Sequence, residues 1–447
     1  MPATVAQLAP ALQDLFTTGA DAAAADTGFV RRRRKLSGAT FVQAVTFGWL
    51  DNPRAALDDL CDVAATLDAG VSCQGLDQRF TPQAAACLQD VLCQALQRTF
   101  TAAGLPLPLL SRFRGTYVFD SSTITLPAAL AALLPGCGGR DPGDGAAACK
   151  VQLCLELSGG GLEELALLDG RTNDLESPLA HRPLPEGALR LADLGFFDLA
   201  LLRRYSDEGV YWISRLHAGT HVATPDGPPQ KLLAFLQAQP GPAVDVPVRL
   251  GAQGVPARLL ARRLPEEVAN RRRQRLRRRA SKSGRGVSAE RLALCDWDVL
   301  VTNVPPEQLA AAEVWALQRV RWQVELVFKV WKGQGGVDWT RGRKPYRVLC
   351  ELLAKLLAMV VQHWLLLVCG GIGLRYSQQR GARRVRRSAL ALLWALAQAA
   401  EVVAVLQRLR QRLQRCRVQR RRKQPATYQL LLDPQQEAFA QGDWSLT

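Results

Sequence analysis

The stretch Thr116-Tyr117-Val118-Phe119-Asp120 decides how the rest of the chain is read. Its β-branched and aromatic residues predict a strand. The strand is expected to end on the carboxylate, because Ser121-Ser122-Thr123-Ile124-Thr125-Leu126-Pro127 follows as a turn. Upstream, residues 1–110 are dominated by Ala, Leu and Gln and read as helical. There Phe41 to Leu50 predicts an apolar helix, and Thr81-Pro82 predicts the N-cap and first turn of another. Downstream, Lys150 to Leu157, Leu162 to Leu168, Leu189 to Asp193 and Gly209 to Ser214 predict four more strands. Ser158-Gly159-Gly160-Gly161 is the turn between the first two of these.

Three antiparallel-looking strands followed by helix–strand alternation predict an α/β layer fold of the ribonuclease H type. Residues 220–302 interrupt it. They are rich in Pro and Gly, with short strands at Val244 to Leu250 and Val299 to Thr302, and read as a β-rich insertion. In its middle lies Arg271-Arg272-Arg273-Gln274-Arg275-Leu276-Arg277-Arg278-Arg279, with Lys282 and Arg285 close behind. Such runs are usually solvated or unstructured when unbound, and this one predicts a DNA-tracking surface. After Pro305-Pro306 the chain reads as helical to Gln414, broken by a basic loop at Arg375 to Arg387 and followed by a basic segment, Arg415 to Lys423. The expected organisation is a helical N-terminal DNA-binding domain (1–110), a ribonuclease H-like catalytic core (111–219 and 303–370), the β-rich basic insertion (220–302) and a helical basic C-terminal region (371–447).

The 447 residues carry 57 basic against 40 acidic side chains, a net charge of +17. Most of the bases are Arg, which favours bidentate phosphate contact and points to nucleic acid or another anionic partner. The eleven Cys form no Cys-x-x-Cys pair, and the four His have no metal-ligand spacing with them. That pattern excludes a disulfide frame and a zinc site and predicts reduced thiols in a cytoplasmic protein. A basic-then-apolar leader is absent from the N-terminus, so secretion is not expected. Leu356 to Leu374 is apolar enough to suggest a membrane span, but Gln362 and His363 at its middle and Gly370, Gly371 and Gly373 at its end predict a buried core helix instead.

Three carboxylates stand out. Asp120 closes the first strand. Asp193 closes another, ahead of Leu194-Gly195-Phe196-Phe197. Glu325 lies in Arg321-Trp322-Gln323-Val324-Glu325-Leu326-Val327-Phe328-Lys329-Val330-Trp331-Lys332. On a helix, Arg321 and Glu325 are one turn apart and Lys332 returns to that face two turns later. An acid held between cations makes a poor core, so this face wants an external partner, and metal plus phosphate is the natural one. Phosphodiester cleavage and strand transfer use two divalent ions, and Mg²⁺ takes a few carboxylates plus substrate oxygens. Clustered carboxylates repel, so an empty site predicts raised pKa values.

The ordered set of motifs resembles the DDE transposases of the insertion sequence four family. Arg321 through Glu325 to Lys332 is similar to that family's Tyr-x2-Arg-x3-Glu-x6-Lys signature, with the Tyr position occupied by Gln318. Asp120-Ser121-Ser122-Thr123-Ile124-Thr125-Leu126-Pro127 resembles its first catalytic block, and Ala192-Asp193-Leu194-Gly195-Phe196-Phe197 its second. Asp169-Gly170-Arg171-Thr172-Asn173-Asp174 is similar to a Gly-Arg-Thr-x-Asp segment between them. Gly75 to Phe80 resembles the family's N-terminal domain, and Lys423-Gln424-Pro425-Ala426-Thr427 its C-terminal end. The resemblance implies Asp120, Asp193 and Glu325 as catalytic metal ligands for two Mg²⁺ ions, with Mn²⁺ as a substitute. It implies Gln318, Arg321, Lys329, Lys332, Arg341, Arg343 and Lys344 as DNA contacts. It also gives Trp297, in Trp297-Asp298-Val299-Leu300-Val301-Thr302, a stacking role on a flipped base, against burial under the insertion. Water is then directed at a phosphodiester at each element end, and the released 3′ hydroxyl attacks the other strand or target DNA. The implied partners are double-stranded DNA, as terminal inverted repeats and target, and a second copy of the chain in a synaptic homodimer. A bacterial, nucleoid-associated setting follows. Two other readings stay open from the residues: a catalytically retired DNA-binding regulator, to which Gln318 lends slight weight, and a ribonuclease H-fold nuclease such as a junction resolvase.

Overall fold

The computed structural model describes residues 3–32, 35–102, 107–137, 146–282, 284–371, 376–418 and 426–434. Arg33 and Arg34 of the basic stretch Arg31-Arg32-Arg33-Arg34-Lys35, residues 372–375 and the Lys423-Gln424-Pro425 block lie outside the described residues, as do 419–423 of the last basic segment. The fold is mixed α/β, with ten strands in the order β3-β2-β1-β4-β5-β10-β9-β8-β6-β7. The strands are β1 (Thr116–Leu126), β2 (Ala147–Glu156), β3 (Leu162–Asp169), β4 (Leu189–Ala192) and β5 (Tyr211–Arg215). Residues 220–302 supply β6 (His221–Ala223), β7 (Gln230–Lys231), β8 (Ala243–Leu250), β9 (Val255–Arg263) and β10 (Trp297–Thr302). The chain falls into two compact units, one of 1–105, 120–172 and 323–419, the other of 106–119, 173–322 and 420–447.

In the first unit the helices Gly38–Asp51 and Pro82–Leu96 pack on the long helix Pro345–Leu365. The expected cap is present, since Thr81 accepts the Ala84 N–H at 3.2 Å and Pro82 opens the helix. The long helix starts earlier than its apolar run, at Pro345. Its 26-residue stretch to Gly370 is apolar enough to span a membrane, but 89% of the apolar window is buried by the protein, as a core helix should be. β2 and β3 form the expected antiparallel pair, closed by Gly160 at φ +73°, where a Cβ would be strained.

That long helix also carries a buried ion pair. Lys355 and Glu351 are each 1% exposed, with Nζ and Oε1 at 2.8 Å. Lys355 also donates to Gly336 O at 3.1 Å and Trp339 O at 2.7 Å, while Glu351 accepts the Arg341 N–H at 3.2 Å. Burial pushes the Lys355 ammonium below its usual value, and Glu351 works the other way. The pair therefore clamps the loop that carries Arg341, Arg343 and Lys344.

In the second unit β1 pairs with β4 and β4 with β5, both in parallel, while β10 pairs antiparallel with β5 and with β9. Residues 220–302, expected as an insertion, thus extend the sheet beyond β5 and form no separate layer among the described strands. Two expectations are corrected. The Arg271–Arg279 run is neither loop nor unstructured but part of a helix, Glu266–Lys282. Likewise the basic segment after residue 377 is a helix, Gln378–Arg386, capped by Ser377. In both, distant packing holds residues whose local like-charge repulsion opposes a helix.

Removing one member of a buried pair strands the other, at a cost of about 3–5 kcal/mol. Lys355→Met is therefore expected to lower unfolding free energy by that amount in urea denaturation. A loss below ~1 kcal/mol, the range of surface pairs, would contradict the clamp.

Candidate active site

The register of β1 on β4 runs Thr116↔Leu189, Tyr117↔Arg190, Val118↔Leu191, Phe119↔Ala192. Asp120 directly follows Phe119 and Asp193 directly follows Ala192, so each aspartate comes one residue after the last register pair of two neighbouring parallel strands. Arg190 reinforces this pairing. It is 1% exposed, and its guanidinium lies 5.0 Å from the Phe119 ring centroid and 5.2 Å from that of Tyr205.

Asp120 does not end its strand, contrary to expectation. β1 continues to Leu126, because Ser-Ser-Thr-Ile-Thr keeps the extended, β-branched character. What ends at this point is the partner, β4. The Asp120 side chain is 8% exposed, and Oδ1 accepts the Ser121 N–H at 2.8 Å. Asp193 does leave its strand, and opens a short 3₁₀ turn, Leu194–Phe196. Its carboxylate is about one-third exposed, and Arg321 Nη2 stands 4.0 Å from its Oδ1.

Gly195 in this turn has negative φ, so space and not conformation demands the glycine. A Cβ there would meet Asp174 Oδ2 at 2.6 Å. Asp174 closes the Gly-Arg-Thr-x-Asp segment, so two motifs that look independent in sequence touch in the fold. The first part of that segment is a turn: Asp169 accepts the Thr172 hydroxyl at 2.9 Å and the Arg171 N–H at 2.8 Å, which hold its carboxyl below the usual range.

The Arg321–Lys332 stretch is not one helix. Gln318 lies on the helix Ala311–Val320, Arg321 is that helix's C-cap, and a second helix, Trp322–Gly333, carries Glu325, Lys329 and Lys332. Arg321 keeps helical dihedrals (φ −48°, ψ −30°), so the break is slight, and no Gly or Pro marks it in sequence. Arg321 is 6% exposed and Glu325 is half-buried. Gln318 Oε1 is buried with no hydrogen-bond partner among the described residues. Lys332 Nζ donates to Thr123 O at 2.9 Å, which ties the Glu325 helix to β1 three residues beyond Asp120.

The remaining candidates separate. Lys329, Arg341, Arg343 and Lys344 are exposed. Lys344 reaches Asp77 Oδ2 at 2.6 Å and Arg347 reaches Oδ1 at 3.2 Å, so the N-terminal Gly75–Phe80 block serves as their counter-charge. Trp297 is 5% exposed, beneath the Arg263 guanidinium at 5.3 Å, and therefore does not present its ring outward. Its neighbour Asp298 is the missed residue. Burial would raise this carboxyl, but Arg272, Arg215 and Arg262 outweigh it and hold it below the usual carboxylate range. Among the described residues no group of three or more His, Cys, Asp or Glu lies gathered as for a metal ion.

Residues 111–361, which include Asp120, Asp193 and Glu325, match the family model described as Transposase DDE domain. The chain belongs to the DDE transposase family. Among its relatives is the Transposase for insertion sequence element IS231F of Bacillus thuringiensis subsp. israelensis, 29% identical over 74% of this chain and 73% of that protein. The Transposase for insertion sequence element IS1151 of Clostridium perfringens is 26% identical over 76% of each. The IS231B transposase of Bacillus thuringiensis subsp. berliner is 26% identical over 75% of this chain and 74% of the relative. For a DDE transposase this fits the resemblance read from the motifs, and the match covers every block from Asp120 to Lys332.

The Gly195–Asp174 contact can be tested directly. Gly195→Ala is expected to cost about 1–3 kcal/mol as an overpacked site, measured by urea denaturation. Combining it with Asp174→Ala removes the clashing carboxylate, so the double variant should be less destabilised than the two single losses added together. Strict additivity would contradict the contact.

Proposed function

We propose that this chain is the transposase of a bacterial insertion sequence, cutting DNA at the ends of its element and joining those ends to target DNA. The observation that carries the reading is the β1–β4 register, which sets Asp120 and Asp193 one residue past a shared pair, within a region matched to the DDE family. The strand order β3-β2-β1-β4-β5, with β4 and β5 parallel to their neighbours, supports a ribonuclease H-like core. We take residues 111–219 and 303–370 as that core, 220–302 as its insertion, 1–110 as a helical DNA-binding domain and 371–447 as a helical basic C-terminal region.

Asp120, Asp193 and Glu325 are the residues that would hold divalent metal. Carboxylate oxygens are the hard donors that Mg²⁺ takes, so the donor set fits. Without a cation, three acids have no electrostatic reason to gather. Held there, Mg²⁺ would supply activation of the attacking oxygen and stabilisation of the leaving one. The chain's own residues do the rest. Arg321, beside Asp193, and Lys332, at β1, supply positive charge that holds the phosphates flanking the scissile bond. Gln318, whose buried amide oxygen has no partner among the described residues, lies one turn before Arg321 and would contact the same backbone. A water oxygen forms a bond to phosphorus, the P–O bond to the 3′ oxygen breaks, and a 3′ hydroxyl is left. That hydroxyl then attacks the opposite strand or target DNA, which releases the next 3′ oxygen. Two ends must meet, so the working form is a homodimer on paired ends.

Glu325→Gln removes a negative charge and little volume. It is expected to bind terminal-repeat DNA within about threefold of the parent and to make no nick in a supercoiled plasmid assay with Mg²⁺. Nicking at the parental rate would remove Glu325 from the site.

A further inference from the structure

The Glu266–Lys282 helix divides its arginines by direction. Arg272 and Arg273 turn inward. Arg272 pairs with Asp298 at 3.3 Å and donates to Trp297 O at 3.1 Å, while Arg273 pairs with Asp296 and donates to Leu292 O at 3.4 Å. Val268 and Ala269 are buried beside them. The helix is thus fixed to the start of β10. Outward stand Arg277, Arg278, Arg279 and Lys282, all exposed. Gly284, at φ +66°, ends the helix, with its N–H on Ser281 O at 3.1 Å and the Arg285 N–H on Ala280 O at 2.9 Å, so exposed Arg285 continues the same basic end.

No carboxylate occurs anywhere from Asn270 to Ala289. Like charges four apart, such as Arg278 and Lys282, oppose the helix by about 0.2–0.5 kcal/mol each. A solvated face chosen for solubility would interleave acids. This one concentrates cations on a backbone held from its other side, which lowers the entropy lost when a polyanion docks. From Arg271 to Lys282 the helix advances roughly 16 Å, the axial rise of about five phosphates on one DNA strand. A lipid surface fits poorly, because a helix lying in a membrane needs an apolar side, and the side away from solvent is already taken by the ion pairs to Asp296 and Asp298.

We propose that the outer face formed by Arg277, Arg278, Lys282 and Arg285 is a sequence-independent docking surface for the DNA sugar-phosphate backbone, separate from the carboxylate site. The surface contacts phosphates without reading bases. It therefore strengthens random and terminal-repeat duplexes alike. The inference rests on the reading of the chain as a transposase that holds DNA.

The test measures binding of the full-length protein to a random-sequence duplex and to a terminal-repeat duplex by fluorescence anisotropy, between about 50 and 200 mM salt. Neutralising three cations, in Arg277→Gln/Arg278→Gln/Lys282→Gln, should make the slope of log K against log salt shallower by about 2.7 on both duplexes. The charge-conserving variant Arg277→Lys/Arg278→Lys, with Lys282 unchanged, should retain the parental slope. Circular dichroism checks folding, and if the triple variant unfolds, Arg278→Gln alone should change the slope by about 0.9. A parental slope in a folded neutral variant overturns the surface while leaving the transposase reading intact. Loss confined to the terminal repeat overturns sequence independence. Loss of binding to polyglutamate with DNA binding unchanged assigns the face to an acidic protein instead. Failure of the parent itself to bind either duplex removes the transposase reading, and this inference with it.

Discussion

The parallel pairing of β1 with β4 is the constraint on which the site depends. Four register pairs, ending at Phe119↔Ala192, fix where Asp120 and Asp193 emerge. Arg190 stiffens that pairing by lying against Phe119 and Tyr205. A one-residue slip in register would send one aspartate to the opposite side of the sheet. The third acid depends on different contacts. Lys332 ties its helix to Thr123 on β1, while Arg321, the C-cap of the preceding helix, stands by Asp193.

The many cations serve two ends. Some are structural: Arg190 in the sheet, Lys355 on Glu351, Arg258 on Asp245, and Arg272 with Arg262 around Asp298. Each is at least half-buried and held by a carboxylate or an aromatic face. Others, such as Arg343, Arg277 and Arg278, are exposed. Net charge alone would count both groups as nucleic-acid contacts. Only the fold separates them, which is why the basic balance of the sequence overstates the surface available to DNA.

The strands that carry the aspartates were legible in sequence because β-branched and aromatic runs bounded by Gly and Ser have few other readings. The expected strands are found within a few residues of their bounds, except that β1 runs past Asp120, while β6, β7 and β9 have no counterpart among them. The further extension of β1 was hidden because Ser and Thr serve turns and strands equally. The helix break at Arg321 was hidden because neither Gly nor Pro marks it. The helical state of Arg271–Arg279 could not be read either, since its partners Asp296 and Asp298 lie more than twenty residues on. Asp174 and Asp298 share that cause: each acts through a residue that only tertiary structure brings near. The acids of the candidate site were picked out by residue type and by family motif.

Diffraction from the protein bound to a pair of element ends in Mn²⁺ tests the joint action of these acids most directly, because manganese can be located by its anomalous signal. The account predicts anomalous peaks within coordination distance of the carboxylates of Asp120, Asp193 and Glu325 together. Manganese bound elsewhere, with these three carboxylates left without metal beside an intact scissile phosphate, would contradict it.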